Sequence, residues 1–379
     1  MVSKRKATPY KLAILTNMVA PYRVSFFNAL SQSEAVDELT ILTCVDREID
    51  RKWKVESSNS FKIKRLSGIT LNLKNGADAK RILHFKFGIF LYLMFNKPSK
   101  LIIGDASWTS YMAVLACKLF SIEYLVWSEI TTSSKVSNGL TAKLRRWMYG
   151  GAEKIIASCE MAKDFLLLNE VESTKISIVN NAVDNDFYLR QKDINKPKRQ
   201  SLRSELKVAE DAFCFIYVGQ LISRKRVLET VSLLADASKE RSIHLIVAGS
   251  GPLESEMKKL AVDKKFDAVS FCGYMDPERL CQLYSASDGL ILLSDDEPWG
   301  MVVNEALLME KVFIVSENVG AGKELIKYCV DSIIVDDVDD YVKNINAVLA
   351  IKNTNKKITV DLSPHKMVIM FVDRLFNDL

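Results

Sequence analysis

The stretch Asp288–Ile326, DGLILLSDDEPWGMVVNEALLMEKVFIVSENVGAGKELI, constrains the fold more than any other. Leu290–Leu293 is an apolar run too short for a helix and of the right length for a buried strand. Ser294–Trp299 is a polar, acidic break. Gly300–Glu310 reads as a helix whose start carries no stronger cap than Gly300. Val312–Val315 is a second buried strand, followed by a glycine-bearing turn and a helix start at Gly322–Ile326. Strand, loop and helix, twice over, is the pattern of a parallel α/β sheet.

The polar chemistry of this stretch lies in its first loop and helix. Glu297 sits at the carboxyl end of a strand, where open parallel sheets bind ligands. Glu305 falls about one turn into the helix. Between them the amides of Gly300, Met301 and Val302 form a helix N-terminus that favours phosphate. Two carboxylates flanking an anion site suit a ligand with hydroxyls on both sides of a phosphate, the layout of a nucleotide-sugar. The segment from Glu297 to Leu307, EPWGMVVNEAL, resembles the E-x7-E motif of retaining GT-B glycosyltransferases, in particular glycosyltransferase family 4. Two glutamates at this spacing are common by chance. The preceding strand, the glycine at the helix start and Glu-Ala-Leu within the helix make the resemblance specific.

At 379 residues the chain is long enough for two domains. The net charge is +5, unevenly spread. Met1–Arg190 holds 27 Lys and Arg against 18 Asp and Glu, so this part is +9 and the remainder −4. That asymmetry suits an anionic partner surface, nucleic acid or a membrane face, or is a solvated drift of charge. The seven cysteines include no C-x-x-C pair and read as core residues in a reducing compartment. The basic start, MVSKRKATPYK, is not followed by an unbroken apolar run, so it is not read as a signal peptide. The stretch Phe85–Phe95 is too short to span a bilayer. A cytoplasmic protein is expected, with peripheral contact to the inner membrane face as an option.

From the N-terminus, Leu12–Thr16 is a strand, followed by a loop without a G-x-G-x-x-G fingerprint and a helix over Val24–Leu30. Asn17, Pro21, Tyr22 and Arg23 resemble a first-loop variant of the family. Arg23 then contacts an anionic acceptor or the donor phosphate, or simply closes a helix start. Leu39–Cys44 is a strand and Arg47–Ser67 is irregular. Ala77–Phe95 reads as a helix whose Lys80, Arg81, Lys86 and aromatic residues rest on a membrane or, in the alternative, face a core. Lys100–Gly104 and Glu123–Trp127 are strands ending near Asp105 and at Ser128-Glu129. Relatives keep a histidine or acid at such ends; here Asp105 and Glu129 are the candidates, with a structural role equally open for Glu129. Asn180–Asp184 resembles the turn that closes the family's first domain, with Ala182 in place of Gly. Leu189–Ser204, polar and basic, is expected to be the linker.

In the second half, Phe213–Val218 leads into Gly219-Gln-Leu-Ile-Ser-Arg-Lys225-Arg, which resembles the family's G-R-L-x-x-x-K-G loop. Arg224 and Lys225 at a strand's carboxyl end meet the charge that gathers on a leaving diphosphate. Gln220 replaces an arginine and Arg226 a glycine. His244–Ala248 runs into Gly249-Ser-Gly-Pro-Leu, similar to the family's G-x-G-P-L turn. Val269–Gly273 ends at Tyr274, where the resemblance places the nucleotide base. Gly320, Gly322 and Glu324 resemble the G-G-x-x-E segment. Asp337 and Asp339 form a D-V-D that more naturally starts a helix at Tyr341–Ile351 than binds a metal.

The resemblance implies a GT-B fold, with two Rossmann-like domains facing across a cleft. The N-terminal acceptor domain spans 1–190, with a helix at about 362–379 packing back on it, and the donor domain spans 191–361. It implies Glu297, Lys225, Arg224 and Glu129 as catalytic residues. Glu305, Gly219, Gly249, Gly273, Tyr274, Gly300, Met301 and Val302 would hold the donor, a UDP- or GDP-sugar. No metal, no other cofactor and no nucleic-acid partner is expected. The acceptor is a glycan or lipid-linked glycan, in surface polysaccharide synthesis. The competing readings are a non-catalytic glycosyltransferase-like partner protein and a nucleotide-sugar epimerase.

Overall fold

Leu12–Leu15, Leu101–Ile103 and Leu125–Trp127 are apolar at every position, and each is buried in a central parallel strand. In the computed structural model of the chain, residues 9–46, 59–75, 79–104, 106–136, 139–329, 331–336 and 360–376 are described. Two units divide the chain: Met1–Ala182 with Ser363–Leu379, and Val183–Leu362.

In the first unit the elements run β1 (Tyr10–Thr16), α1 (Pro21–Ser31), β2 (Val36–Thr43), β3 (Lys62–Arg65), β4 (Ile69–Asn75), β5 (Ala79–Phe85), α2 (Gly88–Asn96), β6 (Lys100–Gly104), α3 (Trp108–Phe120), β7 (Glu123–Ser128), α4 (Leu140–Gly150), β8 (Ile155–Ala157), α5 (Glu160–Leu168) and β9 (Ile176–Ile178). Seven strands form one parallel sheet in the order β3-β2-β1-β6-β7-β8-β9. Strands β4 and β5 form a separate antiparallel hairpin. The core clusters Phe26 and Phe27 of α1, Trp127 of β7 and, from the chain's last helix, Met367, Val368, Phe371 and Leu375. The Phe371 ring lies 5.3 Å from Phe26 and 5.4 Å from Trp127.

The second unit runs α6 (Asn185–Asn195), α7 (Arg199–Glu205), β10 (Phe213–Val218), α8 (Val227–Ala237), β11 (Ile243–Ala248), α9 (Glu254–Asp263), β12 (Val269–Gly273), α10 (Pro277–Ala286), β13 (Gly289–Leu292), α11 (Met301–Leu308), β14 (Val312–Ser316), α12 (Gly320–Leu325) and β15 (Ile333–Val335). Its six parallel strands are ordered β12-β11-β10-β13-β14-β15. The chain enters at Val183 and leaves at Leu362, whose carbonyl accepts from the Val183 N–H at 3.2 Å. The closing helix, α13 (Pro364–Phe376), belongs to the first unit.

Three expectations need correction. The helix over Ala77–Phe95 is a strand, β5, followed by the shorter α2. Thr70 and His84 pair across the hairpin, and Lys86, expected on a basic face, is buried with its ammonium donating to Thr70 Oγ1 at 3.0 Å. Within Arg47–Ser67, read as irregular, Lys62–Arg65 adds an edge strand to the sheet. The linker Leu189–Ser204 is helical, and a boundary at residue 190 would fall inside α6. Asp184 caps α6 by accepting from the Phe187 N–H, and Tyr188 and Asn195 are buried along it. The basic residues are gripped as well: Arg203 donates to Asp288 and to the carbonyls of Ala209, Ala212 and Ala286. Asp105, Asp337, Asp339 and the helix expected at Tyr341–Ile351 lie outside the described residues.

Candidate active site

In the second unit, β10 has β11 on one side and β13 on the other, so the chain order reverses between β10 and β13. Such a switch point opens a crevice at the carboxyl ends of the strands. The loops leaving those two strands hold Gly219–Arg226 and Leu293–Gly300.

The two loops are zipped together by charge. Lys225 forms an ion pair with Glu297, with side chains only 11% and 17% exposed. Arg226 pairs with Asp295, and the Arg224 guanidinium donates to the Asp296 carbonyl. The Asp295 N–H in turn donates to the Arg224 carbonyl at 2.9 Å. Glu297 is held from the other side as well: its N–H donates to Asn318, and its carbonyl accepts from Gly320. Trp299, buried, donates through Nε1 to Asn304 Oδ1 at 2.8 Å, tying the loop to α11.

Gly300 stands between loop and helix with φ +93°, where a Cβ would meet Val319 at 3.0 Å and the Glu297 side chain at 3.2 Å. Only glycine turns the chain there without strain. The first-turn amides of α11 have no carbonyl one turn back to serve. The Val303 N–H turns back to the Gly300 carbonyl at 2.9 Å, which leaves the Met301 and Val302 amides as the donors for an anion. Next to β10, the Gly249 backbone runs so close to Gly219 that a Cβ would sit 1.8 Å from the Gly219 carbonyl oxygen. The Gly249 N–H continues the ladder to the Gly273 carbonyl at 2.8 Å, beside the half-exposed Tyr274.

Glu305, half-buried, accepts from the Tyr284 hydroxyl at 3.0 Å. Burial raises its pKa, and the Tyr188 and Tyr284 hydroxyls offset part of that by hydrogen bonding to the carboxylate. Lys192 of α6 also pairs with Glu310, at the far end of α11, at 2.9 Å. Sequence reasoning missed this two-tyrosine grip. Asp184, a strong N-cap, was the available signal for α6; nothing in the motif pattern points to Tyr284.

The structure brings Glu297, Lys225, Arg224, Glu305, Gly219, Gly249, Gly273, Tyr274, Gly300, Met301 and Val302 to the carboxyl edge of the second unit's sheet. Glu129 is different: it belongs to the first unit, at the end of β7. Its carboxylate accepts from Arg23 at 2.6 Å and from Asn181 at 2.8 Å. The Arg23 guanidinium stacks 3.8 Å from the centre of the Trp127 ring. Arg23 and Glu129, expected as separate functional candidates, largely neutralise one another. Among the described residues no group of three His, Cys, Asp or Glu side chains is placed to hold a metal, and no helix is long and apolar enough to cross a membrane.

Residues 198–360 match the family model Glycosyl transferases group 1. That match lies within the second unit and spans most of it. The chain is 24% identical over 188 residues to the uncharacterized glycosyltransferase MJ1607 of Methanocaldococcus jannaschii, covering 49% of this chain and 47% of that one. It is 25% identical over 155 residues to the alpha-monoglucosyldiacylglycerol synthase of Streptococcus pneumoniae, covering 40% and 35%. The chain thus spans about half, or less, of the length of these relatives. The crystal structure of Anabaena Alr3699/HepE in complex with UDP and glucose superposes with a TM-score of 0.66 at 14% identity, covering 95% of this chain and 94% of that one. This likeness shows the fold: two α/β domains with parallel sheets, of GT-B type.

Proposed function

We propose that the protein is a retaining glycosyltransferase that moves a hexose from a nucleoside-diphosphate sugar to a glycan or lipid-linked acceptor. The observation that carries this reading is the meeting of Lys225, Glu297, the start of α11 and Glu305 at one switch point. Glu305 accepts the ribose hydroxyls. The α11 amides, Lys225 and Arg224 take the diphosphate. Glu297 exchanges its ion pair with Lys225 for hydroxyls of the hexose.

In the reaction the bond from the anomeric carbon to the phosphate oxygen breaks as the acceptor oxygen bonds to the same face. The acceptor proton passes to the leaving diphosphate, and the cations beside it stabilise the charge that gathers there. No enzyme nucleophile and no metal enters this scheme. A relative named as a glycolipid synthase supports a lipid acceptor. A role in surface polysaccharide synthesis and work at the inner face of the membrane, in a reducing compartment, complete the proposal. The seven cysteines are all free, in keeping with that compartment.

The test is nucleoside diphosphate release from a panel of UDP-, GDP- and ADP-hexoses, with proton NMR of the product's anomeric centre. The proposal expects release with one donor, loss of release in Glu297→Ala and Lys225→Ala, and retained configuration. An inverted product overturns the mechanism. Nucleotide binding without turnover of any donor favours the non-catalytic partner reading.

A further inference from the structure

Three consecutive helices of the first unit, α2, α3 and α4, share an exposed surface that solubility alone does not explain. The β6, β7 and β8 strands are neighbours in order, so right-handed crossovers put α3 and α4 on the same face of the sheet. Helix α2 packs against α3, and α3 against α4.

On α2, Leu91, Met94 and Phe95 form an outward stripe, with Phe95 77% exposed, while Ile89, Tyr92 and Leu93 face inward. On α3, Leu115 and Leu119 stand one turn apart and are more than half exposed. Trp147 continues the surface on α4, its ring 4.6 Å from the Lys118 ammonium of α3. Exposed apolar side chains of this size on three helices packed in series mark an interaction site.

The charge of the surface says what kind. None of the three helices contains an Asp or Glu, whereas Lys118, Lys143 and Arg146 are all exposed on them. Long apolar side chains among lysines and arginines, on helices that carry no acid, complement an anionic lipid surface; Glu123 and Glu153, which share a surface pocket with Lys118, mark its edge. The apolar groups enter the acyl boundary and the cations meet the headgroups.

We infer that the α2–α3–α4 face docks the protein on an anionic lipid bilayer. This names a partner for the proposed transferase, and rests on that reading only for its purpose, since the contact is measurable without any sugar transfer. Docking would hold a lipid-linked acceptor near the enzyme and confine its search to the membrane plane.

The experiment is co-sedimentation of the full chain with vesicles of phosphatidylcholine alone and of phosphatidylcholine mixed with phosphatidylglycerol, at rising salt. One variant carries Leu91→Asp and Phe95→Asp; another carries Lys118→Gln, Lys143→Gln and Arg146→Gln. All five positions are exposed, so circular dichroism melting should match the wild type. The expected result is salt-sensitive binding to the mixed vesicles alone. The charge variant should weaken it roughly a hundredfold, and the apolar variant should abolish it. Folded wild type that binds neither vesicle, or both equally, overturns the inference. So does light scattering that shows a dimer dissociated by the same variants, which would make the face a contact between two copies of this chain. Nucleotide thermal shifts, read in parallel, keep a failure here separate from a failure of the donor site.

Discussion

Lys225 and Glu297 balance each other in a nearly dry loop pair, so removing either leaves a stranded charge. Glu297→Ala is expected to cost about 3 kcal/mol of stability, measured by urea denaturation. Lys225→Ala should in addition weaken nucleoside diphosphate binding by about 2 kcal/mol, roughly thirtyfold, in titration calorimetry. Gly300→Ala forces a side chain into a left-handed turn against Val319 and Glu297, and should lower stability by about 1–3 kcal/mol. The half-buried Glu305 gives nucleotide binding an acid limb. As pH falls through its raised pKa, the carboxylate gains a proton and accepts ribose hydroxyls less well. Tyr284→Phe deletes a donor that favours the charged form, so this limb should move to higher pH. A limb that stays put would remove Glu305 from the ribose site. That Glu297, Glu305, Lys225 and Gly300 share one edge of a sheet was legible because the motifs they resemble fix residue type and spacing on strand–loop–helix units. Tyr188 and Tyr284 were not, because they act through tertiary contact from helices distant in sequence.

At the level of elements, parallel strands were legible nearly everywhere, since burial on both faces leaves an uninterrupted apolar run. Failures came where polar residues are buried by pairing. The α6–α7 segment looks solvated by composition, yet Arg199 and Arg203 both close on Asp288 below β13. The β4–β5 hairpin was obscured because α2 is apolar nearly all round and its pattern runs back into β5. Strand β11 carries a testable buried histidine. Ser270 Oγ donates to the Leu206 carbonyl, so His244 donates to it from Nε2 and is neutral in the fold. Burial, with Arg203 nearby, lowers its pKa to about 4. Between pH 6.5 and about 4 the unfolded chain takes up a proton that the folded one refuses. Stability therefore falls as pH drops through this window, by about 3 kcal/mol in all. His244→Gln should flatten that slope in urea melts recorded across the range.

Taken whole, the molecule has two separate cores, and the last helix returns to the first of them. Phe371 is fully buried against Phe26 and Trp127. Phe371→Ala should cost about 3–5 kcal/mol, with amide exchange accelerated in the first unit and nucleotide binding by the second unit preserved. The alternation of strand and helix made the α/β class legible, but the discontinuous first unit follows from tertiary packing of α13. The central claim, a nucleotide-sugar site at the β10–β13 switch point, is tested most directly by thermal shift against UDP, GDP, ADP and CMP. A nucleotide present at about 100 times its Kd stabilises the fold by about 2.7 kcal/mol. The account predicts a shift with one nucleoside diphosphate, lost in Glu305→Ala and in Lys225→Ala. No shift with any nucleotide, or one that survives both substitutions, would contradict it.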